Sequence, residues 1–346
     1  MNNRMLLTHL LTVFYCCCLT TACAQTPQIP APSKDPLPPR TIFERLTAEE
    51  NPRITLALNM SALLTQKKSR DYLIGSLQDA NGKKYDVEVR ASGKFRRMKA
   101  VNPPLKIKFK KKILAKEGLD SLNKLKIVMP WFDTPAGEDY LVREYLAYKI
   151  FEEISPKYVR ARLIQLSLQN TKGATKNMPA LLVEDEDETA TRLGGKLVTR
   201  YGIPMDSLES EQTALTALYQ YFIGNTDWDF NMLRNVRIVE TPDGQIWPLP
   251  YDFDFCGFVN APYATPASDA GIRHVRERSF KDEGLKKNAV EAAVKLLKSR
   301  KETFYAVCAS KYANTQSQEH MAAYLQLYFE KMGNKRIPPR IMQTDD

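Results

Sequence analysis

Residues Gly224 to Asn260 read G-N-T-D-W-D-F-N-M-L-R-N-V-R-I-V-E-T-P-D-G-Q-I-W-P-L-P-Y-D-F-D-F-C-G-F-V-N. No other stretch of the chain carries so many acids and amides among apolar residues. An apolar period predicts a helix from Thr213 to Ile223, which runs into the polar loop Gly224 to Arg234. A strand follows from Asn235 to Glu240. Pro242-Asp243-Gly244 turns the chain, and Ile246 to Leu249 returns it, with Tyr251 to Phe255 closing the motif. The result is a hairpin whose open end gathers oxygen donors. Asp227, Asp229, Asn231 and Asn235 lie at one margin, and Asp252 and Asp254 come back to it along the second strand.

Upstream, from Ile42 to about Val128, short apolar runs alternate with turns. Ile54 to Asn59, Tyr85 to Arg90, Leu105 to Phe109 and Leu122 to Val128 read as strands, and Asn81-Gly82 is a strong hairpin signal. Glu138 to Ile154 has helical spacing and stops at Ser155-Pro156. Val159 to Leu168 and Leu181 to Glu184 read as further strands. Downstream, Leu285–Ser310 and Gln316–Met332 read as helices. The order predicts an α+β fold with two lobes and a cleft between them: an antiparallel-sheet N-lobe (about 41–135) and a mainly helical C-lobe (about 136–340).

Charge follows this division. Residues 83–126 hold 15 Lys/Arg and 4 Asp/Glu, a net +11 in a chain whose total is +10. A solvated sheet face accounts for such a pattern; so does a surface for phosphate-rich ligands. Nucleic acid is not expected, since no aromatic-basic binding motif accompanies the charge. The acidic run Glu184 to Glu188 reads as a solvated loop or helix start. At 346 residues and 43% hydrophobic composition the chain is globular. Residues 1–24 read as an export signal: Arg4 precedes an apolar stretch that ends in Ala22-Cys23-Ala24. Cleavage after Ala24 fits type I signal peptidase. The letters Thr20-Thr21-Ala22-Cys23 also fit a lipobox, which would leave Cys23 as a lipid anchor. Residues 25–40 are a Pro-rich tether. The reading is therefore of an exported protein: periplasmic, surface-held or secreted. Only Cys256 and Cys308 remain beyond the leader, too few for a disulfide scaffold.

Oxygen donors at the end of a hairpin suit phosphoryl transfer. That reaction needs a carboxylate to position or deprotonate a hydroxyl, and hard oxygen ligands for Mg²⁺ on nucleotide phosphates. Protein kinases use an Asp, a following Asn, then an Asp after a short β-pair. Asp227, Asn235 and Asp252 repeat that order, with a longer gap between the first two. The plain alternative is that Asp and Asn cap turns here.

N-T-D-W, R-N-V, P-Y-D-F-D and the downstream N-A-P-Y resemble the spore coat protein H (CotH) kinase-like family in its secreted bacterial branch. V-E-V-R-A-S-G-K, P-P-L-K-I-K-F, D-Y-L-V-R-E-Y-L-A-Y-K-I-F and L-L-V-E-D resemble its upstream segments, so the likeness spans roughly Leu77 to Val259. It implies an atypical protein-kinase-like fold that uses ATP with Mg²⁺ or Mn²⁺ to phosphorylate protein Ser or Thr hydroxyls. Carried over by position, Asp227 is the catalytic carboxylate. Asn235 holds metal, with Asn231 as the alternative, and Asp252 is the principal metal ligand supported by Asp254. Lys106 or Lys108 binds phosphate, with Arg90 as a further contact; the lysine's glutamate partner is Glu144 or Glu184. There is no G-x-G-x-x-G loop and no H-R-D. The same fold without turnover would be a surface binding protein for an acidic partner or polymer. A metal-dependent hydrolase is a third reading, without a histidine near the acids.

Overall fold

Period-two alternation carries the first half of the chain into strands, and in the computed structural model, which describes residues 40–338 except residue 172, those strands close on themselves. The leader, Cys23 and the tether up to residue 39 lie outside the described residues, as do the last eight positions. In order come α1 (Ile42–Leu46), β1 (Arg53–Leu58), α2 (Met60–Thr65), β2 (Leu73–Gln78), β3 (Lys84–Ala91), α3 (Phe95–Lys99), β4 (Leu105–Phe109), α4 (Lys111–Lys116) and β5 (Lys124–Val128). Then follow α5 (Pro135–Glu152), β6 (Ala161–Asn170), β7 (Thr175–Glu184), α6 (Glu186–Arg192), β8 (Lys196–Val198), α7 (Ser210–Ile223), β9 (Val236–Glu240) and β10 (Ile246–Pro250). The chain ends in α8 (Lys287–Ser299), α9 (Lys301–Cys308) and α10 (Thr315–Met332).

The expected antiparallel sheet is a closed seven-stranded barrel in the order β1-β2-β3-β4-β5-β7-β6. Its closing pair, β1 with β6, is parallel; the others are antiparallel. Closure leaves no unpaired edge. Strands β6 and β7 come from beyond α5, so a division of the fold near residue 135 cuts through the barrel. Their sequence explains this position. Even-numbered Ile164, Leu166, Leu168, Ala180 and Leu182 fill the barrel, while odd-numbered Ala161, Leu163, Leu181 and Val183 join the core beneath the helices. The β6–β7 hairpin is thus the shared wall of two cores. The described residues belong to one compact unit by their contacts.

The helical part packs α7 and α5 around Phe151, Tyr219 and Phe253, with β8, β9 and β10 as a small antiparallel sheet. Helix α5 begins at Pro135, earlier than its apolar period suggests. Thr134 caps it by accepting from the Gly137 N–H, and proline suits the first turn. The expected Leu285–Ser310 helix is two, because Arg300 leaves helical geometry between Ser299 and Lys301. Among the described residues no helix is long and apolar enough to cross a membrane.

Candidate active site

Helix α7 ends at Gly224, whose left-handed backbone (φ 66°) turns the chain into the acidic loop. Only glycine fits: a Cβ here would run into the Tyr324 hydroxyl of α10. Asn225 then accepts from the Asp227 N–H at 3.0 Å. Paired backbone bonds between Asp229 and Arg234 pinch the loop shut. At its end Asn235, also left-handed (φ 51°), donates its side-chain amide to the Asp227 carbonyl at 2.7 Å and to Oδ2 at 2.9 Å. Burial pushes the Asp227 carboxyl above its ordinary range, and Arg234, 3.5 Å away, opposes that.

Asp252 lies just beyond β10, in a left-handed conformation (φ 62°) that costs energy for a non-glycine residue. Three contacts hold it. The Tyr251 N–H donates to the Asn235 carbonyl, the Asp252 N–H donates to the Tyr148 hydroxyl of α5 at 2.8 Å, and Phe253 is buried against the rings of Tyr148 and Tyr219. Two residues on, Asp254 is buried, 3% exposed. Oxygens of Asp252, Asp254 and Glu144 of α5 lie within 4.8 Å of one another.

Two cations neutralise this cluster. Lys126 Nζ of β5 stands 3.2 Å from Asp252 Oδ1. Arg96 of α3 stands 3.0 Å from Glu144 Oε2 and 3.4 Å from Asp254 Oδ2. Burial raises the Asp252 carboxyl, but Lys126 and Arg96 outweigh it and hold the group below its ordinary range. Asp254 is pushed up to about 8, first by burial and then by Glu144 and Asp252, against the pull of Arg96. Burial likewise raises Glu144. The donors are hard carboxylate oxygens, and Glu144 Oε1 and Asp254 Oδ2 are buried without a hydrogen-bond partner. That set fits a small divalent cation such as Mg²⁺ or Mn²⁺.

The structure sorts the residues singled out from sequence. Asp227 and Asn235 touch each other, and Asp252 and Asp254 share one cluster. Asn231 is exposed on the far side of the loop, lining a hollow of about 110 Å³ with Met205, Trp228 and Lys281. Lys106 and Lys108 do project from the outer barrel face, but to other acids: Lys106 to Asp185 at 3.0 Å, Lys108 to Glu88 at 2.7 Å. Arg90 lies over the Tyr72 ring. The lysine at the acids is Lys126, directly across the sheet from Lys106. Its sequence signal was its place on the strand immediately before the glutamate-bearing helix, which is the kinase order. Of the two glutamates, Glu144 belongs to the cluster. Glu184 is held elsewhere, by Arg160 at 2.8 Å and Arg192 at 2.7 Å. The acidic run is a helix start, with Asp185 capping α6, but Glu184 and Glu188 are buried rather than solvated. Arg96 was not anticipated; nothing local separates it from Arg97.

No family model matches the chain, and no curated protein matches its sequence. Among solved structures, the crystal structure of a Helicobacter pylori proinflammatory kinase, CtkA, aligns with 65% of this chain and 90% of its own, at 11% identity and a TM-score of 0.38. A likeness this distant carries no residue roles and no activity across to this chain.

Proposed function

We propose that this chain is an exported, kinase-like phosphotransferase of the CotH type that uses ATP with Mg²⁺ or Mn²⁺ to phosphorylate Ser or Thr hydroxyls on proteins. One observation carries the reading: Lys126 reaches from the barrel to Asp252 at the hairpin end, while Asn235 clamps Asp227 in the adjoining loop. A cation for phosphate, an acid for metal and a held carboxylate for the hydroxyl are the parts phosphoryl transfer needs. Asp227, raised by burial, accepts the hydroxyl proton. Asp252 and Asp254 would hold the metal, which when bound neutralises phosphate charge. Lys126 exchanges Asp252 for a phosphate oxygen.

The binding-protein reading has less support. Lys106, Lys108 and Lys124 of the basic face are engaged with the chain's own acids, which leaves less charge for an acidic polymer. The deciding measurement is phosphate incorporation into a protein acceptor from labelled ATP with Mn²⁺. Asp252→Ala is expected to abolish it, and Asp227→Ala to slow it by about 10²–10⁴-fold, the usual worth of a general base. Equal incorporation by wild type and both variants would remove the assignment.

A further inference from the structure

Arg96 is an anomaly of the site. It belongs to the short segment between β3 and β4, at the surface end of the barrel, yet its side chain is 7% exposed. Its neighbours Gly93, Lys94 and Phe95 are exposed. Burying a guanidinium is costly unless every donor finds a partner. Nη1 meets Glu144 and Asp254, and Nη2 donates to the Met129 carbonyl at 3.2 Å, but Nε has none. Glu144 Oε1 and Asp254 Oδ2 also lack hydrogen bonds, although Oδ2 stands 3.4 Å from Arg96 Nη1. With Lys126 on Asp252, Arg96 alone serves Glu144 and Asp254, and it leaves buried atoms of all three side chains unsatisfied. A small cation would satisfy them better: opposite ligands of an ion at ~2.1 Å stand about 4.2 Å apart, and the three oxygens already lie within 4.8 Å of one another.

We propose that Glu144 is a third ligand of the divalent-cation site formed with Asp252 and Asp254, and that Arg96 is the resident cation of that site when no metal is bound. The proposal rests on the reading of Asp252 and Asp254 as metal ligands. Metal and Arg96 then compete for Glu144 and Asp254. Binding displaces the guanidinium and loosens the segment Ser92 to Lys99, whose only aromatic anchor, Phe95, rests on Phe255 and Trp131 with its ring half exposed. Freed, the arginine joins Lys126 as a cation beside the acids, where phosphates would enter.

Two readouts on the full chain test this without recourse to turnover. Mn²⁺ binding is followed by the spectroscopic signal of the free ion, and amide hydrogen exchange is measured with and without saturating Mn²⁺. The expected result is saturable binding with faster exchange confined to residues 92–99. Arg96→Gln is expected to bind Mn²⁺ about ten-fold tighter or more, the factor one charge-assisted hydrogen bond is worth, Arg96→Lys to stay near wild type, and Glu144→Gln to bind more weakly. Wild-type binding with exchange at 92–99 unchanged, or Arg96→Gln binding no tighter, overturns the competition and leaves the metal reading standing. Unchanged affinity in Glu144→Gln removes Glu144 from the ligand set. Absence of binding by every protein overturns both readings together. If Arg96→Gln does not fold, the wild-type exchange experiment decides alone.

Discussion

At the scale of single residues, the site depends on charges that look interchangeable along the chain but are not in space. Arg90, Lys106 and Lys126 face one another across β3, β4 and β5, and only Lys126 stands over Asp252. Lys108 is one row away and paired to Glu88 with its side chain 41% exposed, a geometry worth little. The expectation is a contrast. Lys126→Met should lose most of the stabilisation that ATP with Mn²⁺ confers, about 2.7 kcal/mol at a hundred times Kd, and Lys108→Met should retain it. Thermal unfolding with and without nucleotide checks this, and equal losses in the two variants would return the phosphate-binding role to the strip as a whole. Alternation told us that both lysines leave the apolar face of β4. It could not rank them against a lysine on the next strand, because the ranking depends on which acid lies opposite.

Elements are joined here by one buried ion network. Arg160, at the entry to β6, contacts Glu44 of α1 at 3.0 Å, Glu184 at the end of β7 at 2.8 Å and Glu188 of α6 at 2.8 Å. Glu188 also accepts from the capping Thr41 at 2.6 Å. Four elements therefore share one guanidinium at the place where β7 leaves the barrel and the chain starts toward α7. Removing one partner of such a network strands the others. Arg160→Met is expected to destabilise the fold by about 3–5 kcal/mol, read from the urea midpoint. Arg160→Lys should recover only part, since one ammonium lacks the fork that reaches three carboxylates. A Met variant within a few tenths of a kcal/mol of wild type would show the network to be a surface feature. The acidic run itself was plain in the sequence. Its burial was not, since it depends on arginines at positions 160 and 192 arriving from other elements.

For the whole molecule, stability at acid pH is set partly at the seam between α10 and the hairpin. His320 is pushed down to about 4, first by burial and then by Arg143 and Arg276, which both oppose a third positive charge. The unfolded chain takes up a proton near pH 6.5, whereas the folded chain resists until near 4. Folding therefore loses stability as pH falls through that window, and the loss is complete below it. His320→Asn should match wild type above pH 7 and outlast it at pH 5, as measured by thermal unfolding at the two values. A constant difference across pH would show that His320 does not titrate in this way.

What the amino-acid order determined by itself is local: the β-strand alternation, the main helices to within a few residues of their ends, the hairpin that carries Asp252 and Asp254, and the concentration of positive charge in residues 83–126. These follow from period, turn chemistry and composition over a few residues at a time. The tertiary structure alone decided that β6 and β7 close the barrel, that Lys126 rather than Lys106 meets the acids, and that Glu144 and Arg96 complete the cluster. The reason is physical. Each of those facts is a meeting between segments dozens of residues apart, and such meetings are selected by how two cores share one wall and by which buried charges can be neutralised, neither of which leaves a periodic trace in the chain.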